Sequence, residues 1–496
     1  MPAGVPDWVA RRAQTHTDHP AIITDEGATS YRDLEARVAA VAHRLRLDGV
    51  AASEPVALLA ANGLDFAVFA HGIPRSGAAL MPLNARLTAE ELSWQLQDAQ
   101  TRCLIADETH RGLAERAASL AGIEVTTLED DRWRLDATAS TEAPSHAPDD
   151  VHSVIYTSGT SGRPKGALLT YGNFEASAAG SVYNLGVDAA DVWLACLPLF
   201  HVGGLSILLR SAIYGTTALI QPRFDEVAVN AALRGDPAGP PVTLLSVVPT
   251  MLTRMLDADA LPYPPSVRAV LVGGGPVAPS LLEEAMRRGL PVLQTYGLTE
   301  ATSQVTTLSA ADALRKLGSA GQPLLQTSVR IEVDDRPAGV GELGEILVAG
   351  PTVSAGYLGR PDATAEVIRD GWLHTGDIGF LDAEGYLTVA DRRDDLIVTG
   401  GENVYPAEVE AVLLACPGVA ECAVVGLPDP TWGQVVAAVI VTEGGGLERA
   451  QIEADLAERL PGYKRPRRLE LRSAPLPRTA SGKLLRRIVR EELSST

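Results

Sequence analysis

Residues 156–170 read YTSGTSGRPKGALLT, and the residue types dictate what such a segment can hold. Thr157, Ser158, Gly159, Thr160, Ser161 and Gly162 are each glycine or a small hydroxyl residue, so their backbone N–H groups are free to wrap an anion. Lys165 adds a point charge, and the segment follows an apolar run, Val151 to Tyr156, that reads as a buried strand. This is the composition of a nucleotide-phosphate loop. It is not a Walker A loop, G-x-x-x-x-G-K-[ST]. Counted from Gly159, Pro164 stands where the second glycine belongs and Gly166 where Ser or Thr belongs. A plain surface loop is the competing reading.

A second glycine group, VLVGGGPVA (270–278), fits the dinucleotide template G-x-G-x-x-[GA] through Gly273, Gly275 and Ala278. Three consecutive glycines satisfy that spacing easily. A tight strand-to-helix turn explains Gly273, Gly274, Gly275 and Pro276 as well as a nucleotide role does, and a nicotinamide site gains little support. In YGLTEATSQ (296–304), Tyr296, Gly297, Thr299 and Glu300 stand at the end of the apolar run PVLQT, where open α/β sheets gather ligands. A carboxylate there suits a divalent cation neutralising a polyphosphate, since Mg²⁺ takes one or two carboxylates plus phosphate oxygens. The plain alternative for Glu300 is an acid at a helix start.

His201 in LPLFHVGGLS follows another apolar run; a lone histidine is more often packed than catalytic, and its interest comes from its company. Asp377 in HTGDIG reads as an aspartate in a tight turn between strands. Cys196 reads as a core residue. KRPRRLELRSAPLPRTASGKLLRR (464–487) is the basic island of the chain, either a solvated tail or the counterpart of an anionic partner. Within it Lys483 sits on a Gly-flanked turn from which it could reach an anionic site on another domain.

The elements that must position these groups alternate. Trp8 to Thr15 reads as a helix, AIITDEG with ATSYRDL as a hairpin, Tyr31 to Leu47 as a helix, PVALLAA as a buried strand, Asp65 to Ile73 as a helix, AALMPL as a strand and Ala89 to Asp98 as a helix. This β-α-β-α rhythm predicts a mostly parallel sheet covered by helices. DATASTEAPSHAPDD (136–150) reads as a surface linker. A second α/β block runs from Val151 to about Thr307, with strands HSVIYT, VWLACLPL, ALIQP, TLLSVV, RAVLVGG and PVLQTYG. Short strands with Gly-rich turns from Val329 to Ala390 predict a small β-barrel or antiparallel sheet. After DRRDD (391–395) a compact pattern restarts: a helix at Pro406–Leu414, strands ECAVVGL and VVAAVIVT, and a helix at Arg449–Leu460.

Size and charge narrow the function class. At 496 residues the chain is too long for one ordinary domain. A net charge of −20 excludes a nucleic-acid scaffold, which needs a basic surface to displace counterions, and disfavours an anionic membrane surface. No apolar run is long enough to span a membrane, and the N-terminus lacks the apolar stretch of a secretory signal. Cys103, Cys196, Cys416 and Cys422 are scattered, against a disulfide scaffold or zinc site and consistent with a reducing cytoplasm. The oligomeric state is left open, a homo-oligomer included.

Taken together, YTSGTSGRPKG, PLFH, GGG, YGLTE, TGD, DRRDD, GGENVYPAEVE and PRTASGK resemble the adenylate-forming acyl-CoA synthetase superfamily, in the superfamily's own order and over nearly the whole chain. The resemblance implies an α/β architecture: a large N-terminal domain (1–391) of two packed α/β sub-blocks plus a small β-barrel, and a small mobile α+β C-terminal domain (392–496) hinged near Asp394. It implies a two-step reaction, in which a carboxylic acid attacks the ATP α-phosphate and CoA then displaces AMP. The segment Thr157–Lys165 would cradle the ATP phosphates; Gly273, Gly274, Gly275, Pro276 and Tyr296 would hold adenine, with Gly297 also among the nucleotide-binding residues. Thr299 would contact the α-phosphate, Glu300 would hold Mg²⁺, and Asp377 and Arg392 would bind the ribose. Lys483 would bridge α-phosphate and acyl carboxylate, His201 would gate the acyl pocket, and Gly400, Gly401, Glu402 and Asn403 would line the CoA tunnel.

The middle segments (NLGVDAADVWLACLPLFHVGGLSILLRSAIYGTTALIQPRFD, SVVPTMLTRML and KLGSAGQPL) are similar to the branch that activates o-succinylbenzoate for menaquinone biosynthesis. Such an aromatic keto-dicarboxylate needs polar anchors for the carboxylate that is not activated; Ser206, Ser303 and Gln304 are the candidates, beside His201 and Thr299. Arg465, Arg467 and Arg468 are candidates for attracting the CoA nucleotide. The competing readings are a medium-chain fatty-acid or aryl-acid CoA ligase, an adenylation module that loads a carrier protein, and a nonenzymatic nucleotide sensor. The intact phosphate loop and Lys483 oppose the last of these.

Overall fold

The computed structural model describes residues 4–133, 145–157, 163–235, 239–275, 277, 279–333, 335–391, 397–404, 406–442, 449–477 and 486–494. Four runs in which every residue is buried, Pro55–Leu59, Ala79–Pro82, Val192–Ala195 and Ala269–Val272, lie inside two sheets. Strands covered on both faces need no polar alternation, and mostly parallel pairing follows from helical crossovers. The first sheet has six strands in the order Lys165–Thr170, Val151–Thr157, Ala79–Pro82, Pro55–Leu59, Cys103–Ala106 and Glu124–Thr127. The second has nine. Its parallel centre runs Val292–Leu298, Ala269–Val272, Leu244–Val247, Val192–Ala195, Thr217–Ile220 and Pro20–Thr24, with antiparallel strands at both edges. Both sheets share one core, in which Val38, Val41, Phe66 and Phe69 from two helices meet Leu58, Leu80, Trp193 and Leu208.

Capping fixes where the helices start. Ser30 Oγ accepts from the Asp33 N–H at 3.1 Å to begin the helix Tyr31–Leu47. Thr170 and Asn173 form a reciprocal capping box at the start of Tyr171–Leu185. The segment 328–391 forms a six-stranded antiparallel sheet around Ser328–Val333, Gly344–Ala349 and Trp372–Leu381.

The helix and strand positions expected from the sequence hold within one or two residues, with three corrections, the first being that the strand expected over VWLACLPL (192–199) ends at Ala195. Lys165–Thr170, expected to be loop, is a strand. Residues 145–150, expected to belong to a surface linker, are built into the fold. Ser145–His146 pairs with Val5–Pro6, and the buried His146 ring stacks on Tyr171 with centroids 4.1 Å apart. The apolar partner was invisible because Ala, Ser and Pro dominate the local composition.

The chain divides into two compact units: residues 1–85, 93–156 and 166–390 form one, and residues 86–92, 157–165 and 391–496 the other. In the second unit the hairpin Val419–Asp429/Gly433–Thr442 takes Arg468–Arg472 as a parallel neighbour. Helices Pro406–Leu414 and Arg449–Arg459 cover its apolar face through Val409, Leu413, Ile452 and Leu456. Lys464, buried in this unit, is held by Glu408 at 2.5 Å and Glu91 at 3.0 Å. No helix among the described residues is long and apolar enough to cross a membrane.

Candidate active site

The strand Val292–Leu298 ends in a turn on which several candidates meet. A Cβ at position 297 would lie 1.5 Å from the Ser303 carbonyl oxygen, so Gly297 alone permits the chain to fold back there. Thr299–Ala301 make one short 3₁₀ turn, and Thr302 (φ +53°) and Ser303 (φ +82°) reverse the chain into the antiparallel strand Ser303–Thr307. A β-branched threonine in the left-handed region is strained and persists only where its surroundings over-determine it. Here they do. Thr302 Oγ1 donates to the Thr352 carbonyl at 2.7 Å, Ser177 Oγ donates to the Thr302 carbonyl at 2.8 Å, and the Ser354 N–H donates to the Glu300 carbonyl at 2.8 Å. The Glu300 carboxylate accepts from the Tyr357 hydroxyl at 2.9 Å.

Asp377 is not in a turn between strands. It lies within the ten-residue strand Trp372–Leu381, where the pairing with Gly344–Ala349 slips in register. The Gly376 N–H donates to Glu345 Oε1 at 2.9 Å across this irregularity. Gly and Asp signal turns in sequence, but here they mark an irregular ladder that re-aims a side chain. The result joins two predicted residues: the Tyr296 hydroxyl donates to Asp377 Oδ2 at 2.7 Å.

His201 is the N-cap residue of helix Val202–Tyr214, with Leu205 N–H donating to its carbonyl at 2.9 Å. Ser206 and Arg210 follow on the helix one turn apart, on one face. Ser206 Oγ is buried and has no hydrogen-bond partner among the described residues, and the same holds for Gln304 Oε1. Arg210 was missed by the sequence reading. It is 3% exposed, donates from Nη2 to Ser177 Oγ at 2.9 Å, and lies 5.8 Å from the Trp193 ring centroid. No carboxylate pairs with it among the described residues, and its Nε has no acceptor. Burial pulls the guanidinium below its ordinary pKa, with the Tyr214 phenol opposing. The signal available in the sequence was a lone arginine in the apolar run ILLRSAIY. Ser177 Oγ thus ties the Arg210 side chain to the strained turn behind Glu300.

In the second unit, Thr157 and Lys165 flank the phosphate loop, and Thr157 Oγ1 donates to the Lys165 carbonyl at 3.5 Å. Ser158, Gly159, Thr160, Ser161 and Gly162 lie outside the described residues, as do Pro276, Arg392, Asp394 and Lys483. Gly400 (φ +57°) and Gly401 (φ +84°) are the two central residues of a hairpin joining Ile397–Thr399 to Glu402–Val404. Positive φ at both positions is what a type I′ hairpin demands, and glycine supplies it without strain. Glu402 is buried and paired with Arg86 at 2.5 Å, whereas Asn403 is exposed. Beside Gly400, the Trp432 indole is 37% exposed and the Arg467 guanidinium lies 4.5 Å from its ring centroid. Arg465 is used differently, donating to the Leu460 and Ala457 carbonyls behind a helix end.

The AMP-binding enzyme family model matches residues 9–358, and the AMP-binding enzyme C-terminal domain matches residues 408–483. The chain belongs to the AMP-binding enzyme family. It is 45% identical, over 98% of both chains, to the 2-succinylbenzoate–CoA ligase of Bacillus cereus (strain ATCC 14579). It resembles a double mutant of o-succinylbenzoate CoA synthetase from Bacillus subtilis bound to the product analogue OSB-NCoA, with 38% identity, a TM-score of 0.92 and 98% of each chain covered. The Bacillus subtilis enzyme in complex with ATP and magnesium ion matches with 37% identity, a TM-score of 0.74 and 99% of each chain covered.

For an AMP-binding enzyme the test of a metal is the donor set. Among the described residues no group of three or more His, Cys, Asp and Glu could hold an ion by protein ligands alone. Glu300 offers a single carboxylate on a rigid turn. That fits Mg²⁺, which keeps several waters and takes its remaining ligands from phosphate oxygens, and it does not fit a dedicated protein cage.

Proposed function

We propose that this AMP-binding enzyme ligates CoA to o-succinylbenzoate through an acyl-adenylate, as a cytoplasmic step of menaquinone biosynthesis. The observation that carries the substrate reading is Arg210, a guanidinium that is 3% exposed and has no carboxylate partner among the described residues, on the helix that His201 begins. Folding leaves such a charge unpaired only at a cost of several kcal/mol. A dicarboxylic substrate supplies the missing anion with the carboxylate that is not activated, while the other faces Thr299. Ser206, Gln304 and Ser303 complete the polar set around it. A fatty acid has no group for Arg210.

In the first half-reaction the acid's succinyl carboxylate attacks the α-phosphorus, and pyrophosphate leaves. In the second the CoA thiolate attacks the acyl carbon and AMP leaves. Both depend on positioning and charge neutralisation. Thr157 to Lys165 hold the phosphates, Gly273 to Pro276 the adenine, and Tyr296 the adenine with its hydroxyl on Asp377. Asp377 and Arg392 take the ribose hydroxyls, and Lys483 supplies the mobile charge at the α-phosphate. Mg²⁺ on Glu300 neutralises polyphosphate charge when bound. The Gly400–Asn403 hairpin lines the path of the pantetheine, and the Trp432–Arg467 stack offers an aromatic face and a cation to the CoA nucleotide. We take residues 1–391 as the nucleotide- and acyl-binding domain and 392–496 as the mobile domain, with its hinge at Asp394.

ATP-dependent CoA consumption over o-succinylbenzoate, substituted benzoates and medium-chain fatty acids tests the reading. o-Succinylbenzoate is expected to give the highest kcat/KM; a wide preference for a fatty acid would overturn the substrate assignment.

A further inference from the structure

The segment from Pro351 to Arg360 is absorbed by none of the roles above, yet it touches the Glu300 turn and the strand that leaves the phosphate loop. Asn173 Nδ2 donates to the Pro351 and Val353 carbonyls at 2.8 and 2.9 Å. Thr302 Oγ1 donates to Thr352, and the Ser354 N–H to Glu300. Along the other edge, Ala355 N–H donates to the Leu168 carbonyl at 2.9 Å, Leu168 N–H to Gly356 at 2.9 Å, and Leu358 N–H to Gly166 at 2.8 Å. Its backbone therefore runs as an antiparallel strap on Gly166–Leu168, with Ala167 and Tyr357 directly opposite. The Tyr357 N–H is taken by Thr364 Oγ1 at 2.9 Å, and the end of the strap is anchored where Arg360 pairs with Asp98. Asp98 also accepts from Tyr156 at 2.9 Å. The backbone is thus held by hydrogen bonds along both edges, and the one tyrosine hydroxyl it carries lies on Glu300 Oε1.

We infer that Tyr357 is a positioning residue that fixes the plane of the Glu300 carboxylate for the divalent cation of ATP. A glutamate side chain has rotatable bonds on both sides of its γ-carbon, and a metal ligand that is free to turn loses entropy on binding. A hydroxyl held by the strap donates to one oxygen and removes that freedom in advance, as partners of metal-ligating carboxylates do elsewhere. Because the strap is also bonded to Gly166–Leu168, the carboxylate is referenced to the strand by which the phosphate loop re-enters the sheet. The inference rests on the reading that Glu300 holds the cation.

Calorimetric titration of ATP into the full chain without acid or CoA, with and without saturating Mg²⁺, reads the tightening of ATP by the metal in the absence of turnover. Tyr357→Phe is expected to lower that tightening about tenfold, the lower end of what loss of such a partner costs, and to leave metal-free ATP affinity unchanged. Glu300→Gln is expected to abolish the tightening, and Tyr357→Phe added to it to change nothing further. If Glu300→Gln abolishes the tightening and Tyr357→Phe leaves it at the wild-type value, or increases it, the positioning role is wrong. If Glu300→Gln itself leaves the tightening intact, the metal assignment of Glu300 falls and the inference with it. Should Tyr357→Phe fail to fold, Thr364→Val, which withdraws the acceptor of the Tyr357 N–H and leaves the hydroxyl in place, must move the tightening in the same direction; an unchanged value overturns the proposal.

Discussion

Two arginines of the first unit are almost equally buried, Arg75 at 2% and Arg210 at 3% exposure, and the chain treats them in opposite ways. Arg75 is enclosed by acids. Its Nε and Nη2 donate to both oxygens of Asp7 at 2.7 and 2.5 Å, and its Nη1 and Nη2 to both oxygens of Glu35 at 2.8 and 2.6 Å. Burial pulls its pKa down, and the two carboxylates more than reverse that, leaving it above the ordinary arginine value. Arg210 has a serine hydroxyl and the face of an indole, and its pKa is left below the ordinary value. A buried charge that the fold pairs holds the structure together. A buried charge that the fold leaves unpaired is maintained for something that arrives later.

The pair of substitutions Arg75→Met and Arg210→Met should therefore give opposite signatures, and these are the largest effects expected. Arg75→Met leaves two half-buried carboxylates without a cation and should lower stability by about 3–5 kcal/mol, read as a drop in the thermal midpoint, with the KM for o-succinylbenzoate unchanged. Arg210→Met removes a buried charge that has no carboxylate partner among the described residues, so the thermal midpoint should hold or rise. Its KM for o-succinylbenzoate should increase by roughly 30-fold or more, the equivalent of about 2 kcal/mol for a lost buried charge pair, while an unsubstituted benzoate is much less affected. An Arg210→Met enzyme that melts early and keeps its KM would erase the distinction.

The contrast sharpens with pH. Arg75 and Asp7 act on His71 and His146, and His152 stands against Trp8 and Tyr171, on which His146 also stacks. Burial lowers His71 to about 4, with Asp7 opposing and Arg75 assisting, and it also lowers His152 well below its ordinary value, helped by His71 and His146. The unfolded chain protonates these rings near pH 6.5 and the folded chain does not. The unfolded state then binds more protons, so stability falls as pH drops below 6.5, by up to about 1.4 kcal/mol per pH unit for each histidine, and for His71 this continues to about pH 4. Thermal midpoints between pH 7.5 and 5 should decline, and His71→Gln with His152→Gln should flatten the decline. A slope unchanged in that variant would move the acid sensitivity elsewhere.

The same contrast explains what could be read in advance. The alternating elements, the restart near residue 391 and the motif order were legible because each follows from local pattern: apolar runs, glycine turns, capping residues. The Tyr296–Asp377 contact was not, since it joins positions 81 residues apart through an irregular strand pairing that has no composition of its own. Arg210 was visible as a letter but not as an orphan, because a missing partner is a property of the whole surrounding core. Tyr357 carried no signal, since one tyrosine in GYLGR has the same appearance whether it packs or positions a ligand. His146 was hidden for the opposite reason, in a stretch whose alanines, serines and prolines resemble a linker.

The smallest predicted effects lie around Arg210 and distinguish an anchor from a packing defect. Ser206 Oγ and Gln304 Oε1 are buried and without partners among the described residues. If nothing ever pairs them, Ser206→Ala and Gln304→Leu remove desolvated polar atoms, so the thermal midpoint should hold or rise and KM should stay at the wild-type value. If the second carboxylate of the acid reaches them, the midpoint still holds or rises, but each KM for o-succinylbenzoate should increase about five- to tenfold, the net worth of one hydrogen bond near 1 kcal/mol. Ser303, half-buried and already in a left-handed conformation, should contribute less. The informative comparison is with Arg210→Met as background. There the serine and glutamine substitutions should add little, because the anion that joined them to the guanidinium is no longer held in place. Full additivity would mean that the three side chains act on different parts of the acid.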